Sequence, residues 1–422
     1  MRAIFRHEVK YAVRSGGHSG MSGWSSTEGG ILISFEHMTS VSYNESKDTV
    51  TLQPGIRWGE ALTALEPFGV GVLGGGLSFL AGAHGFSVDT LLEADVVLVN
   101  GDLVTASATN QYNDLFRALK GGANRFGIVT RYEVRAAHVG TKADKNFIGG
   151  TIFYDNSTSE ALLKATAKFI NNVNDPRASL LSVFSVSFAN NTLFPINFAT
   201  FVYNTSSPSE NLPPGLYDDF LNLPNLGSSV GRSSYVDVVN SLGTGTEGSG
   251  QGQMFGASAF SSGEGSGYAR YEDSYRKFGQ YVEAVRAKPN ATGPPSSDDD
   301  PTKDGVEFAI LAFTSVQKSQ VQVGRNRGGN VMDPPLRNYG LVQFHNQMPP
   351  NIDTVSRRVR DARREFLRQI PPSPGIPLYV GESDKEQNVF ATYGRYEELR
   401  RTYRKYDPTR FNIRYTDGPI GL

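Results

Sequence analysis

Over the first 135 residues, apolar and polar positions alternate in short runs that glycine or proline keeps interrupting. KYAVRS, ILISF and TVTLQPG are rich in β-branched and aromatic residues and stop at turn formers, which predicts strands. RWGEALTALEPF instead places Trp58, Leu62 and Leu65 at helical spacing. DVVLV and LVTASA flank Asn100-Gly101, a strong hairpin signal because both residues tolerate positive φ. NDLFRALKGG predicts a helix with Asn113 as N-cap and Gly121 or Gly122 as its stop, and GIVTRYEVRAAHV a long strand. The pattern is that of an α+β domain.

From about residue 140 the runs lengthen. LLSVFSVSF and NFATFVYN alternate with period two, which predicts an antiparallel sheet with one solvated face, and SEALLKATAKFINNV predicts a covering helix. Phe184, Phe188, Phe198, Phe201 and Tyr203, with the GLVQFHNQ stretch, suit either a plain sheet core or the lining of a pocket. Two stretches, 243–267 and 288–305, are so rich in Gly, Ser, Pro and Asp that they predict loops. After Pro377 the strand-like LYVGES precedes a helix in YGRYEELRRTYRKYDPTRFN, which ends at Asp407-Pro408.

Composition narrows the chemistry. At 422 residues the chain is long enough for two or three domains. The 41 basic and 42 acidic side chains leave no basic surplus for nucleic acid. With no cysteine, disulfides, thiolate metal sites and cysteine nucleophiles are excluded. Asn-x-Ser/Thr sequons at Asn44, Asn156, Asn190, Asn204 and Asn290 raise glycosylation and secretion, yet MRAIFRHEVKYAV has no apolar signal-peptide core. Gly69–Val88 carries no charge, but seven glycines make it a poor membrane helix and a better glycine-rich loop.

None of the six histidines has zinc-site spacing, and neither GxSxG nor GxxxxGK[ST] occurs, so no metal is expected. What stands out is His18 within VRSGGHSG. Consecutive glycines expose backbone N–H groups to an anion and let the chain approach a large planar ligand closely. Gly74-Gly75-Gly76 and KGGANRFGIVT (120–130) are two further walls of that kind. Three glycine-lined loops suggest an extended, phosphate-bearing cofactor.

VRSGGHS, GGILISFEHM, VTLQPGIRWGEA, LGGGLSFLAGAHGFSVDTLLEADVVLVNGDLVTASA and DLFRALKGGANRFGIVTRYEV, in this order, resemble the FAD-binding domain of the vanillyl-alcohol oxidase/PCMH flavoproteins. NVFATYG and LRRTYRKYDPTRFN resemble the C-terminal module of their fungal berberine-bridge-enzyme-like oxidases. The likeness implies a PCMH-type domain at 1–139, a substrate domain with an antiparallel sheet and covering helices at 140–375, and a module at 376–422 packing back on the first. It implies FAD bonded singly through His18, with Ser15, Gly16, Gly17, Ser19, Gly74, Gly75, Gly76, Gly127, Ile128 and Val129 around it. Tyr379, Glu382 and Tyr393 become candidates for the catalytic base.

The implied reaction is hydride transfer from an alcohol, sugar or secondary-metabolite substrate to flavin in a monomer, with dioxygen as acceptor and neither membrane nor nucleic acid as partner. Its alternatives are a dehydrogenase with an organic acceptor and a flavin-free relic that only binds. The sequence departs from the family pattern in three places. An opening strand-and-helix section is expected before VRSGGHS, so the domain reads as N-terminally truncated. FGVGVLGGGLSF is shorter than the family's pyrophosphate segment. Gly381 and Glu382 stand where many relatives have Asn-Tyr.

Overall fold

The structure, a computed structural model, describes residues 1–189, 192–205, 207, 209–241, 251–263, 267–286, 305–350, 352 and 354–422. In the first third, strands β1 (Tyr11–Arg14) and β2 (Ile31–Ser34) pair in parallel. They are followed by β3 (Val41–Asn44), β4 (Thr49–Leu52), β5 (Val70–Gly71), β6 (Leu91–Val97), β7 (Leu103–Ser107), β8 (Ile128–Arg135) and β9 (Ala137–His138). A five-stranded sheet runs β3-β4-β8-β6-β7, and β5 pairs with β9. Alternation gives this sheet two unlike faces. Val50, Leu52, Ala94 and Val96 are buried with Leu62 and Leu115 of the helices Trp58–Leu65 and Asn113–Leu119. On the polar face Arg131 holds Asp95 at 2.6 Å together with Glu93 and Glu133. Asn113 is the first residue of its helix, and the N-cap position falls on Tyr112 without a side-chain cap bond. The Asn100-Gly101 turn forms, with Gly101 at φ +87°, inside a longer loop than two residues.

The remaining strands are β10 (Phe147–Tyr154), β11 (Ala178–Ala189), β12 (Thr192–Asn204), β13 (Gly227–Ser228), β14 (Gly231–Ser233), β15 (Gln251–Ser261), β16 (Phe308–Val316) and β17 (Tyr339–Pro350). They form one antiparallel sheet in the order β13-β10-β12-β11-β16-β17-β15, with β14 beside β10. One face is core: Phe184, Phe201, Tyr203, Phe313 and Phe344 pack against the helices Ser159–Asn172, Ala269–Arg286 and Arg357–Gln369. Phe188 packs against the same cluster. Phe198 lies on the opposite face, so the aromatic set is split by strand parity rather than being all core or all pocket.

The loop expected over 243–267 is corrected in part, because Gln251–Ser261 is strand β15. Its Gly, Ala and Ser residues are close-packing devices: a Cβ on Gly256 would stand 2.8 Å from Leu367. Small residues that look like loop composition here let a helix lie flat on the strand. The stretch 288–304 lies outside the described residues. The strand expected in LYVGES is also corrected: Val380–Glu382 forms a short 3₁₀ turn.

Two buried polar clusters join the parts. Asp89, next to β6, accepts from the Phe86 amide at 3.0 Å and the Asn330 side chain at 2.9 Å, and faces Lys120 at 3.7 Å. Arg125 donates to the carbonyls of Pro419, Asn412 and Thr416, at 2.9, 3.0 and 2.9 Å, which fastens the C-terminal segment to the first sheet.

Candidate active site

Leaving β1, the chain turns through Ser15–Ser19 with Gly17 at φ +74°. The backbone N–H groups of Gly16, Gly17, His18 and Ser19 find no acceptor among the described residues. A second loop, Gly74–Gly76, holds Gly75 at φ +66° and Gly76 at φ +78°, and its amides are likewise unpaired. Consecutive residues link the two loops. Arg57 Nη1 lies 3.9 Å from where a Cβ on Gly16 would stand, and the Trp58 ring lies 2.7 Å from a Cβ built on Gly74. Arg14 flanks Gly17 in the same way, at 3.5 Å. Free amides beside the Arg57 guanidinium, with the Arg14 stem alongside, are a donor set that suits a diphosphate. The residues therefore fit the pyrophosphate of FAD, which Arg57 and the Gly16–Ser19 amides would hold.

At the other end of the first loop, Phe255 on β15 bridges two histidines. Its ring centroid is 5.5 Å from that of exposed His18 and 4.3 Å from that of His345. His345 Nε2 meets Glu382 Oε2 at 3.0 Å, and the Gln343 amide donates to the same oxygen at 2.5 Å. Burial pushes the Glu382 carboxyl up, but the hydrogen bond and charge of His345, the Gln343 amide and the field of His18 outweigh it. The net direction is down, below the usual carboxylate range, so Glu382 is a partly buried anion with a matched donor set.

The other base candidates sit differently. Tyr379 donates its hydroxyl to the Gly75 carbonyl, and its ring limits Gly76: a Cβ there would be 2.9 Å away. Burial pushes this phenol well above its usual range. Tyr393 is buried with its hydroxyl 3.4 Å from the Gly121 carbonyl and is also raised by burial. Neither hydroxyl bonds the His345–Glu382 pair, although the charge of Glu382 adds to the burial that raises Tyr379. Gly127 (φ +131°) is explained by packing, since a Cβ would meet Val96 and the Val97 carbonyl at 2.7 Å. Ile128 is buried with Ile4, Tyr11 and Phe411, and Val129 packs against the cluster around Phe126. His345, Gln343 and Phe255 were not singled out from the sequence. The signal was the period-two spacing of GLVQFHNQ, which puts Gln343 and His345 on one face of β17.

Comparison with known proteins supports FAD as the cofactor. Residues 1–107 match the FAD binding domain family model. An FAD-linked oxidoreductase of Arthroderma benhamiae is 28% identical over 434 residues, covering 96% of this chain and 80% of the relative. An FAD-dependent monooxygenase of Arthrobotrys oligospora is 26% identical over 426 residues, covering 95% and 75%. Among solved structures, 6-hydroxy-D-nicotine oxidase from Arthrobacter nicotinovorans superposes with a TM-score of 0.69 at 19% identity, covering 98% of this chain and 87% of that one. Xylooligosaccharide oxidase from Myceliophthora thermophila does so with 0.69 at 18% identity, covering 100% and 89%. No helix among the described residues is long and apolar enough to cross a membrane.

Proposed function

Because the chain belongs to the FAD-linked oxidoreductases of berberine-bridge-enzyme-like fold, we propose that it oxidises a small hydroxyl-bearing molecule with His345 as proton acceptor and dioxygen as electron acceptor. The observation that carries this reading is the His345–Glu382 pair set beside Phe255 and His18. Flavin, when bound, supplies the hydride-accepting chemistry. His18 is the residue proposed to bond it covalently: it is exposed at the end of a glycine loop, with side-chain space around it. The division at 139 and 375 into FAD, substrate and C-terminal parts follows the same reading.

The chain's own residues divide the proton work. With Nε2 directed at the ionised Glu382, the imidazole keeps Nδ1 as its acceptor for a substrate hydroxyl proton. Glu382 fixes the tautomer and stabilises the imidazolium that results. A carboxylate held below its usual range is a poor base itself and a good partner for a cation. Glu382 is thus a positioning residue, while Tyr379 and Tyr393, raised by burial and tied to carbonyls, carry no base role.

Oxidase activity is tested by peroxide release on substrate addition. Peroxide at one equivalent per substrate supports it. Oxygen incorporated into product points instead to the monooxygenase chemistry for which the Arthrobotrys relative is named. Reduction by substrate without either points to an organic acceptor.

A further inference from the structure

The face of the large sheet opposite its helices is covered in part by the first domain, through Phe147, Val202, Val316 and Leu341, and the remainder continues the site. Phe255, His345, Ile310, Ser185 and Ile196 stand directly opposite one another on β15, β17, β16, β11 and β12. Strands lie about 4.8 Å apart, so the row runs roughly 14 Å from His345 to Ile196. Beyond His345 it is apolar. Ile196 is 45% exposed, and next to it stand Phe194, 50% exposed, and Phe153, 43% exposed, with Phe198 paired to Phe153.

The hydroxyls on this face are mostly taken. Ser185 donates to the Ile196 carbonyl, Thr314 to Gln343, and Thr151 and Thr200 bond each other at 2.8 Å. On β16, β11, β12 and β10 the face presents no ionisable side chain among the described residues. Amides on this face include Gln343 and Gln347 on β17, Gln253 on β15 and, at the far end of β12, Asn204.

Resting on the reading that His345 is the reacting end, we propose that the substrate is a flat, largely apolar, hydroxylated fused-ring molecule two or three rings long, lying along Ile310, Ile196 and Phe198, and not a sugar. An oligosaccharide laid along this row would exchange hydrated hydroxyls for aliphatic and aromatic surface without replacement partners, which costs free energy for each one left unpaired. A fused-ring molecule exchanges water for the same surface favourably, and a carbinol hydroxyl at its end meets His345, its own C–H being the bond that gives up the hydride.

The test is calorimetric titration of the full FAD-loaded chain with 2-naphthol, 2-hydroxyanthraquinone and cellobiose. The ring compounds are expected to bind, the longer one more tightly, and cellobiose to give no binding heat. Ile196→Asp, on an exposed position, is expected to weaken 2-hydroxyanthraquinone at least about tenfold. Phe198→Ser gives a second, independent loss. Cellobiose binding better than either ring compound, no ring binding at all, or unchanged affinity in both variants would overturn the proposal. The dyad is judged separately, by substrate-driven flavin reduction in His345→Gln. A slow His345→Gln with unaltered binding in the Ile196 and Phe198 variants keeps the dyad and removes the fused-ring substrate.

Discussion

Asp89 is a fully buried carboxylate and Glu382 a partly buried one, and their surroundings push them in opposite directions. Asp89 is enclosed: a Cβ on Gly324 would stand 2.4 Å from its oxygen and one on Gly85 3.0 Å, so two glycines exist to admit it. Burial dominates and raises it, although Asn330, Lys120 and the Phe86 amide pull the other way. Lys120 opposite is lowered by the same burial. Glu382 is partly buried too, but its donors win and hold it down. The difference separates a structural pin from the group proposed to work beside His345. Asp89 has no path to a ligand, whereas Glu382 keeps its charge beside a histidine and an open apolar face.

Removing the pin is the largest effect expected. Asp89→Ala strands the Lys120 ammonium and the Asn330 amide in a closed site, which costs about 3–5 kcal/mol. Thermal unfolding is expected to show that loss, with little change in the flavin reduction rate of whatever protein remains folded. Combining Asp89→Asn with Lys120→Met is expected to cost less than either single change, because no charge is then left unpaired. Losses that simply add would mean that the two side chains are not coupled, and the comparison would lose its first half.

Glu382→Gln is the opposite case. The amide still fills the space, but it cannot stabilise a cationic His345. Substrate-driven flavin reduction is expected to fall roughly 100-fold, the low end for a positioned acid–base group, with the unfolding midpoint moved by only a few degrees. His345→Gln is expected to fall as far, and the double variant no further, since the two act as one unit. Additive losses would assign them separate roles. His18→Ala, read by flavin fluorescence on acid-denatured protein, is expected to abolish covalent attachment while leaving the dyad bonds intact.

How much of this was legible beforehand follows from range. The glycine loops, the α+β opening and the sheet-and-helix middle are local patterns, and they appear where the residues place them. Strand parity was equally legible, yet only the pairing shows which parity faces helices: Phe184 and Phe198 look alike in sequence and end on opposite faces. β15 was hidden because its small residues have loop composition, although at Gly256 the cause is Leu367, 2.8 Å from where a Cβ would stand. The His345–Glu382 contact spans 37 residues and two elements, and no spacing rule reaches it. Glu382, a base candidate by sequence, is proposed instead as the partner of one, because the sign of its shift depends on donors that only folding supplies.

The smallest expected effect is also the sharpest contrast, because it is one of sign. Asp89 has a folded pKa above its unfolded value of about 3.9, so its contribution is fully present below that value and is lost as pH rises through the folded one. Relative to Asp89→Asn, the wild-type chain should gain stability on going from pH 7 to pH 4. Glu382 has a folded pKa below its unfolded value of about 4.3, so its contribution is present above that value and is lost as pH falls through the folded one. Relative to Glu382→Gln, the wild-type chain should lose stability over the lowest part of the same range. Unfolding midpoints of the three proteins at pH 7, 5 and 4 measure both trends at once. Two differences that drift in the same direction would show that burial, not the donor set, governs Glu382, and the imidazole beside it would then lack the fixed anion its proton-accepting role requires.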